Sequence, residues 1–171
     1  MMNAILKHLS CPVAVLAGMA TISLFSLLAA LGSEVFLGLE PCILCIYQRW
    51  PYVAVIVLGI IGLVIKKYAR AMVGLSGIAF LINSGIAVYH TGVEQKWWAS
   101  AFEGCLIPDF GSDEPQSLLD NILSAPSARC DEIPWQDPLI GLSMANYNAI
   151  LCFGLFVICA VSFARLRHTQ K

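Results

Sequence analysis

The sequence predicts an all-α membrane protein, a four-transmembrane-helix bundle with a long external loop that carries a short amphipathic helix. Three observations predict it. The 171 residues are 58% hydrophobic and 12% charged, against roughly 25% charged in an ordinary soluble domain. The chain contains four apolar runs, three of them uncharged and the second carrying only Arg49, each close to the ~20 residues a helix needs to cross a hydrocarbon core. Basic residues cluster at alternate ends of those runs.

No charged side chain lies between His8 and Glu34, so Leu9 to Ser33 supplies the first span, about residues 10–32. A secretory signal peptide is the alternative, because Lys7 precedes the run and Ala30, Leu31 and Gly32 resemble a cleavage site; its apolar region, however, usually covers only about 7–15 residues. A second span, 45–65, stops at Lys66 and Lys67, and a tight turn through Arg70 leads into a third, 71–90. The last run begins after Asp137, carries Pro138 and polar residues early, and gives a fourth span over 144–164. The whole chain, 1–171, forms one integral membrane domain. Its large external piece is the connection 91–143. There Glu114 to Ser124 puts Leu118, Leu119, Ile122 and Leu123 on one helical face, predicting a short amphipathic helix that lies on the membrane or packs on the protein.

Charge orients the bundle. Lys7, Lys66, Lys67, Arg70, Arg165, Arg167 and Lys171 fall on one face, while all 11 carboxylates share the other with Arg49, Lys96 and Arg129. Basic residues near span ends stay cytoplasmic, so both termini are predicted to be cytoplasmic. No internal repeat, low-complexity tract, nucleotide-binding glycine loop or basic patch for nucleic acid is present.

The seven cysteines divide by this topology. Cys42, Cys45, Cys105 and Cys130 are external, where disulfides persist. Cys11, Cys152 and Cys159 lie in or beside spans and are expected to be buried packing residues. Four external cysteines allow three connectivities, and we favour Cys42 with Cys45 and Cys105 with Cys130. Both bridges could be structural staples. For Cys42 and Cys45 that role is weak, because a bridge across three residues removes little loop entropy from the unfolded chain. A zinc site is a further alternative, with Cys105, Cys130 and His90 completing the ligand set; no metal is expected, since neither distant cysteine belongs to a second close pair.

Positions 42, 45 and 49 fall on one helical stripe, which turns Arg49 toward the sulfurs. An ionisable group about one turn inside a span is costly and points to function, although Arg49 could also snorkel to headgroups. A nearby cation and a helix N-terminus favour the thiolate, the reactive form of cysteine. His90, at the external end of span three, is level with Arg49. The two could donate to a polar acceptor between the spans, and a quinone carbonyl is the small lipid-soluble acceptor that fits. Trp50, Trp97 and Trp98 suit an interfacial aromatic belt.

The run Leu39-Glu-Pro-Cys-Ile-Leu-Cys-Ile-Tyr-Gln-Arg49, the run Tyr89-His-Thr-Gly-Val-Glu94, and the later Gly104-Cys105 and Arg129-Cys130 together resemble the disulfide bond formation protein B family, DsbB. The resemblance covers nearly the whole chain. It implies a four-helix enzyme of the bacterial inner membrane that reoxidises a periplasmic thioredoxin-fold dithiol oxidase, DsbA, and passes the electrons to ubiquinone or menaquinone. That DsbA, DsbB and quinone route is established as what keeps the bacterial periplasm oxidising. By the resemblance, Cys105 and Cys130 form the disulfide attacked by the partner, with the mixed disulfide at Cys105. Electrons then pass to Cys42 and Cys45, with Cys45 beside the quinone ring. Arg49 matches the family's quinone-binding arginine, and His90 a histidine near that site. Competing readings are a specialised relative serving one dedicated oxidase, and a non-enzymatic membrane subunit with two structural disulfides. The vitamin K epoxide reductase-like family does similar chemistry, but its membrane Cys-x-x-Cys comes late in the chain.

Overall fold

A computed structural model of the chain describes residues 10–102, 105 and 128–168. The first helix, α1 (Pro12–Leu37), begins on a proline whose fixed φ and missing N–H suit the first helical position. It closes on Gly38, which has a φ of 64° and donates its N–H to the Glu34 carbonyl at 3.1 Å. The helix therefore runs past the predicted end near residue 32. Glu34 stays within it because Arg49 of the second span pairs with its carboxylate.

The second span is broken. A short helix, α2 (Ile43–Tyr47), is followed at once by α3 (Arg49–Val64), with Gln48 between them. Pro51 accounts for the interruption, since it has no N–H to offer the Tyr47 carbonyl and its ring crowds that turn. A 3₁₀ turn at Lys66–Tyr68 leads into α4 (Ala69–Glu94), and the chain ends in α5 (Met144–His168). The third span thus extends past 90 to Glu94, and the fourth starts where predicted.

Among the described residues, four segments are long and apolar enough to cross a membrane: Pro12–Leu37, Ile43–Val64, Lys66–Glu94 and Met144–Leu166. Among the described residues there is no strand, only an isolated bridge between Gln136 and Ser143. The amphipathic helix predicted over 114–124 lies outside the described residues.

The helices form one bundle, with α4 packed most extensively on α5, α1 on α3, and α3 on α4. Leu16, Val55, Val73, Phe80, Cys152 and Cys159 fill its centre. Contacts fix the two ends. Gly62 of α3 meets Leu16 and Met72 at one end, where the Arg70 guanidinium also lies 4.8 Å from the Phe163 ring centre. At the other end Glu34 meets Arg49, and Glu94 meets Ser143. Phe25, Val35, Val64, Ile150 and Phe153 remain exposed on the outer face, as expected of side chains that face lipid.

Lipid tails remove the usual hydrophobic incentive for helices to associate, so close approach through small residues has to supply contact. Gly59 of α3 lies directly against Ala20 of α1: a Cβ at position 59 would come within 2.9 Å of the alanine Cβ. By contrast, a Cβ at Gly154 of α5 would meet nothing within 4 Å. We predict that Gly59→Val destabilises the bundle by about 1–3 kcal/mol through overpacking and lowers the melting temperature in detergent, whereas Gly154→Ala leaves it unchanged or raises it. Equal melting of the Gly59→Val variant and the parent would show that the α1/α3 approach is not tight.

Candidate active site

The Pro41-Cys42 segment enters α2 so that Cys42 is its N-cap, with Sγ accepting the Cys45 backbone N–H at 3.3 Å. Capping from the first position to the third helical N–H is the ordinary geometry of a polar N-cap; here sulfur takes the place of oxygen. The Cys-x-x-Cys spacing then sets the two Sγ atoms 3.0 Å apart as free thiols. The expected Cys42–Cys45 bridge is not formed here: the two are neighbouring free thiols. Cys105 and Cys130 are joined as a disulfide. With Cys42, Leu44 and Val93 they make one buried cluster above the bundle. With Cys105 and Cys130 bonded to each other, the zinc alternative is left with Cys42, Cys45 and His90, whose ligand atoms lie within 4.8 Å of one another.

His90 lies on α4 one turn before its end and is 3% exposed. Its Nε2 is 3.4 Å from Cys42 Sγ, and its Nδ1 is 2.9 Å from Gln48 Nε2. Glu94, one turn further, places Oε1 3.7 Å from the same Nε2, while its other oxygen accepts the Ser143 hydroxyl at 2.5 Å. Gln48, at the break between α2 and α3, also accepts a hydrogen bond from Asn148 Nδ2 of α5 at 2.6 Å. Asn148 in turn accepts from the Tyr52 hydroxyl at 2.5 Å.

The hydrogen bond from the Cys45 thiol is the main influence on Cys42 and lowers its pKa; burial opposes it, and His90 and the Cys45 N–H reinforce it. The balance holds the Cys42 thiol far below its usual range, at about 4. Cys42 is therefore the thiolate of the pair.

Arg49 departs from the predicted orientation. Its guanidinium bonds Glu34 of α1, because the break at Gln48 shifts α3 off the simple helical stripe that runs through 42 and 45. It nevertheless lines the same cavity as Cys45, His90 and Glu94, a space of about 710 Å³ whose walls include Leu27, Ala30, Leu151 and Trp135. That volume is in the range of small-molecule sites, about 300–1,000 Å³.

Cys11 corrects an expectation: it is exposed, because it caps the start of α1 before the first buried residue, Val15. Cys152 and Cys159 are buried as expected, Cys152 beside the Tyr52 hydroxyl at 3.2 Å. Trp50 and Trp97 are exposed near the dithiol end, and Trp98 stacks on Tyr89. Sequence reasoning missed Glu34, Gln48, Tyr52, Glu94 and Asn148 as members of the site. Its available signal was the presence of polar side chains within otherwise apolar runs.

A reactive dithiol, a disulfide in the same cluster and a cavity beside them are the parts of a thiol-exchange enzyme. The family model described as "Disulfide bond formation protein DsbB" matches residues 13–162. The chain belongs to the DsbB family. Similar proteins include "Disulfide bond formation protein B" of Dechloromonas aromatica (strain RCB), 31% identical over 141 residues, covering 77% of this chain and 80% of the relative. The protein of that name from Shewanella sp. (strain MR-4) is 28% identical over 131 residues, covering 75% and 74%. The "Uncharacterized protein RP370" of Rickettsia prowazekii (strain Madrid E) is 28% identical over 138 residues, covering 80% and 79%. No solved structure matches. As a DsbB family member, this is a multi-pass membrane protein of disulfide bond formation.

A thiolate at Cys42 has a direct chemical signature. Iodoacetamide labelling of Cys42 in the reduced protein should hold its rate down to about pH 5 and fall only as pH drops through about 4. An unperturbed thiol would already lose rate below about pH 8.5. Peptide mass spectrometry reads the rate, and labelling that keeps climbing to pH 9 would remove the thiolate from Cys42.

Proposed function

We propose that this DsbB family member is a protein-dithiol:quinone oxidoreductase of the bacterial inner membrane, which reoxidises a periplasmic DsbA-like partner and has both termini in the cytoplasm. The observation that carries the proposal is the buried cluster in which a Cys105–Cys130 disulfide packs with the Cys42 and Cys45 dithiol. One pair can accept electrons from a soluble dithiol while the other holds electrons to hand on.

Each exchange balances. A partner thiolate attacks the Cys105–Cys130 bond, with Cys105 forming the mixed disulfide; the partner's second thiol releases it as a disulfide, and Cys105 and Cys130 are left reduced. Their attack on a Cys42–Cys45 disulfide returns the outer pair to the oxidised form and leaves the inner pair as the dithiol seen here. The low Cys42 pKa suits it as leaving group in that step, since the sulfur departs as thiolate.

The cavity's residues fit a quinone headgroup: Arg49 supplies a donor, Leu27, Ala30 and Leu151 supply apolar wall, and Cys45 and His90 border the space. When bound, quinone supplies a two-electron, two-proton acceptor. The chain's own part is to orient it through Arg49 and hold Cys45 against it, with Cys42 kept ionised alongside. Charge distribution supports the orientation, since Lys66, Lys67 and Arg70 gather at the bundle end opposite the dithiol.

Purified protein with a reduced thioredoxin-fold partner should reduce quinone, and comparing ubiquinone with menaquinone analogues identifies the acceptor. Cys42→Ser, Cys45→Ser, Cys105→Ser and Cys130→Ser are each expected to abolish turnover; full activity in one of them would take that cysteine out of the relay. Absence of any thiol-dependent quinone reduction by the parent protein would favour a subunit with structural disulfides. Arg49→Ala should raise the apparent KM for quinone about tenfold, the loss expected of one charge-assisted hydrogen bond. An unchanged KM would reject the quinone-binding role of Arg49.

A further inference from the structure

The Gln48 amide is held between two partners that determine which of its ends faces which. Asn148 Nδ2 donates to Gln48 Oε1 at 2.6 Å, which turns the Gln48 NH₂ toward His90 Nδ1 at 2.9 Å. The Asn148 oxygen in turn receives the Tyr52 hydroxyl at 2.5 Å and faces the Cys152 thiol at 3.4 Å. An amide nitrogen can only donate. With the amides so placed, the ring nitrogen that meets it accepts, and an Nε2–H lies 3.4 Å from Cys42 Sγ. All the bonds run in one direction, from Tyr52 through Asn148, Gln48 and His90 to the sulfur.

We propose that Asn148, acting through Gln48, is a positioning residue that locks His90 in the tautomer carrying hydrogen on Nε2 and so keeps a donor on the Cys42 thiolate. The proposal rests on Cys42 being the redox sulfur, but it requires neither quinone nor a particular partner protein. Its physical basis is scarcity of alternatives. Gln48 and His90 are 7% and 3% exposed, so a lost bond finds few replacement partners apart from what enters the cavity that both line. Without Asn148 the Gln48 amide is free to turn its oxygen toward His90. The ring hydrogen then moves to Nδ1, and the Nε2 lone pair faces the thiolate in place of an N–H. A donor becomes a repulsive neighbour.

The other charged or titratable groups around Cys42 are Cys45 in α2 and Glu94 in α4, with Glu34 and Arg49 as an ion pair and Arg129 and Glu132 on the cavity wall. Asn148 bonds none of these; the titratable groups it does touch, Tyr52 and Cys152, make no hydrogen bond to Cys42, so a shift at Cys42 in that variant reports the series.

The test uses the reduced full-length protein in detergent, labelled with ¹⁵N-histidine. The chain has three histidines, and His90→Gln identifies the resonances of interest. In the parent, Nδ1 of His90 should show the shift of a bare, pyridine-like nitrogen and Nε2 that of a protonated one. Asn148→Ala should exchange or average the two. In parallel, the pH midpoint of Cys42 alkylation should rise by about one unit in Asn148→Ala and in Gln48→Leu. The double variant should move no further than Gln48→Leu alone, because both residues act in one series. Hydrogen on Nδ1 in the parent overturns the proposal, and that measurement needs no variant to fold. So does an unchanged alkylation midpoint in a folded Asn148→Ala protein, or additive shifts in the double variant. Loss or retention of quinone reduction enters none of these readouts, so failure of the oxidase assignment and failure of this inference are separable.

Discussion

A polar side chain inside an apolar bundle has to find a partner, because lipid offers none and desolvation of a lone amide or hydroxyl costs several kcal/mol. The dithiol end of this protein is organised by that requirement. Tyr52, Asn148, Gln48 and His90 come from α3, α5, the α2/α3 break and α4, and each is satisfied by the next. The series ties three of the four spans to one sulfur atom. It also explains why the second span is discontinuous at this level: the interruption before Pro51 puts Gln48 at a junction between two helices, where its side chain can bridge α4 and α5.

The two cysteine pairs lie in one buried cluster yet have different local structures. Cys42 and Cys45 are set by one turn of helix, so their separation is determined by the backbone and needs no bond to hold it. Cys105 and Cys130 are 25 residues apart in sequence and are brought together by their bond and by packing on Leu44 and Val93. Closing the longer loop also restricts the unfolded chain more, so the outer disulfide contributes more to stability than an inner one would.

The spans were legible because hydropathy and length are summed over some twenty residues, and local exceptions hardly disturb the sum. Their ends were less so. In the sequence Glu34 appears to end the first run and the third run is taken only to 90, yet both helices continue, because Arg49 and Ser143 satisfy the carboxylates of Glu34 and Glu94 from other elements. Such pairings join residues 15 and 49 positions apart, and no local pattern announces them. The cysteines of the site could be read from spacing and side of the membrane. Asn148 and Tyr52 could not: each is a single polar residue in an apolar run, and Asn148 becomes meaningful only when the fold sets it beside Gln48, 100 residues away. Cys11 shows the converse error, since proximity to a span in sequence did not place it inside the bundle.

Arg49 illustrates how a buried charge can be both neutralised and useful. Left alone at that depth, the guanidinium would be expensive, and Glu34 removes most of the cost by pairing with it. The pairing engages Nη2, but a guanidinium carries five N–H donors in a fixed fork, so the ion pair does not exhaust its hydrogen-bonding capacity. The carboxylate also holds the side chain in one direction, which reduces the entropy lost when a further acceptor arrives. Glu34 thereby turns Arg49 from a mobile surface cation into a fixed donor on the wall of the cavity beside Cys45. The ion pair and a further hydrogen bond from the same guanidinium are therefore compatible, because the two would use different N–H groups of the fork.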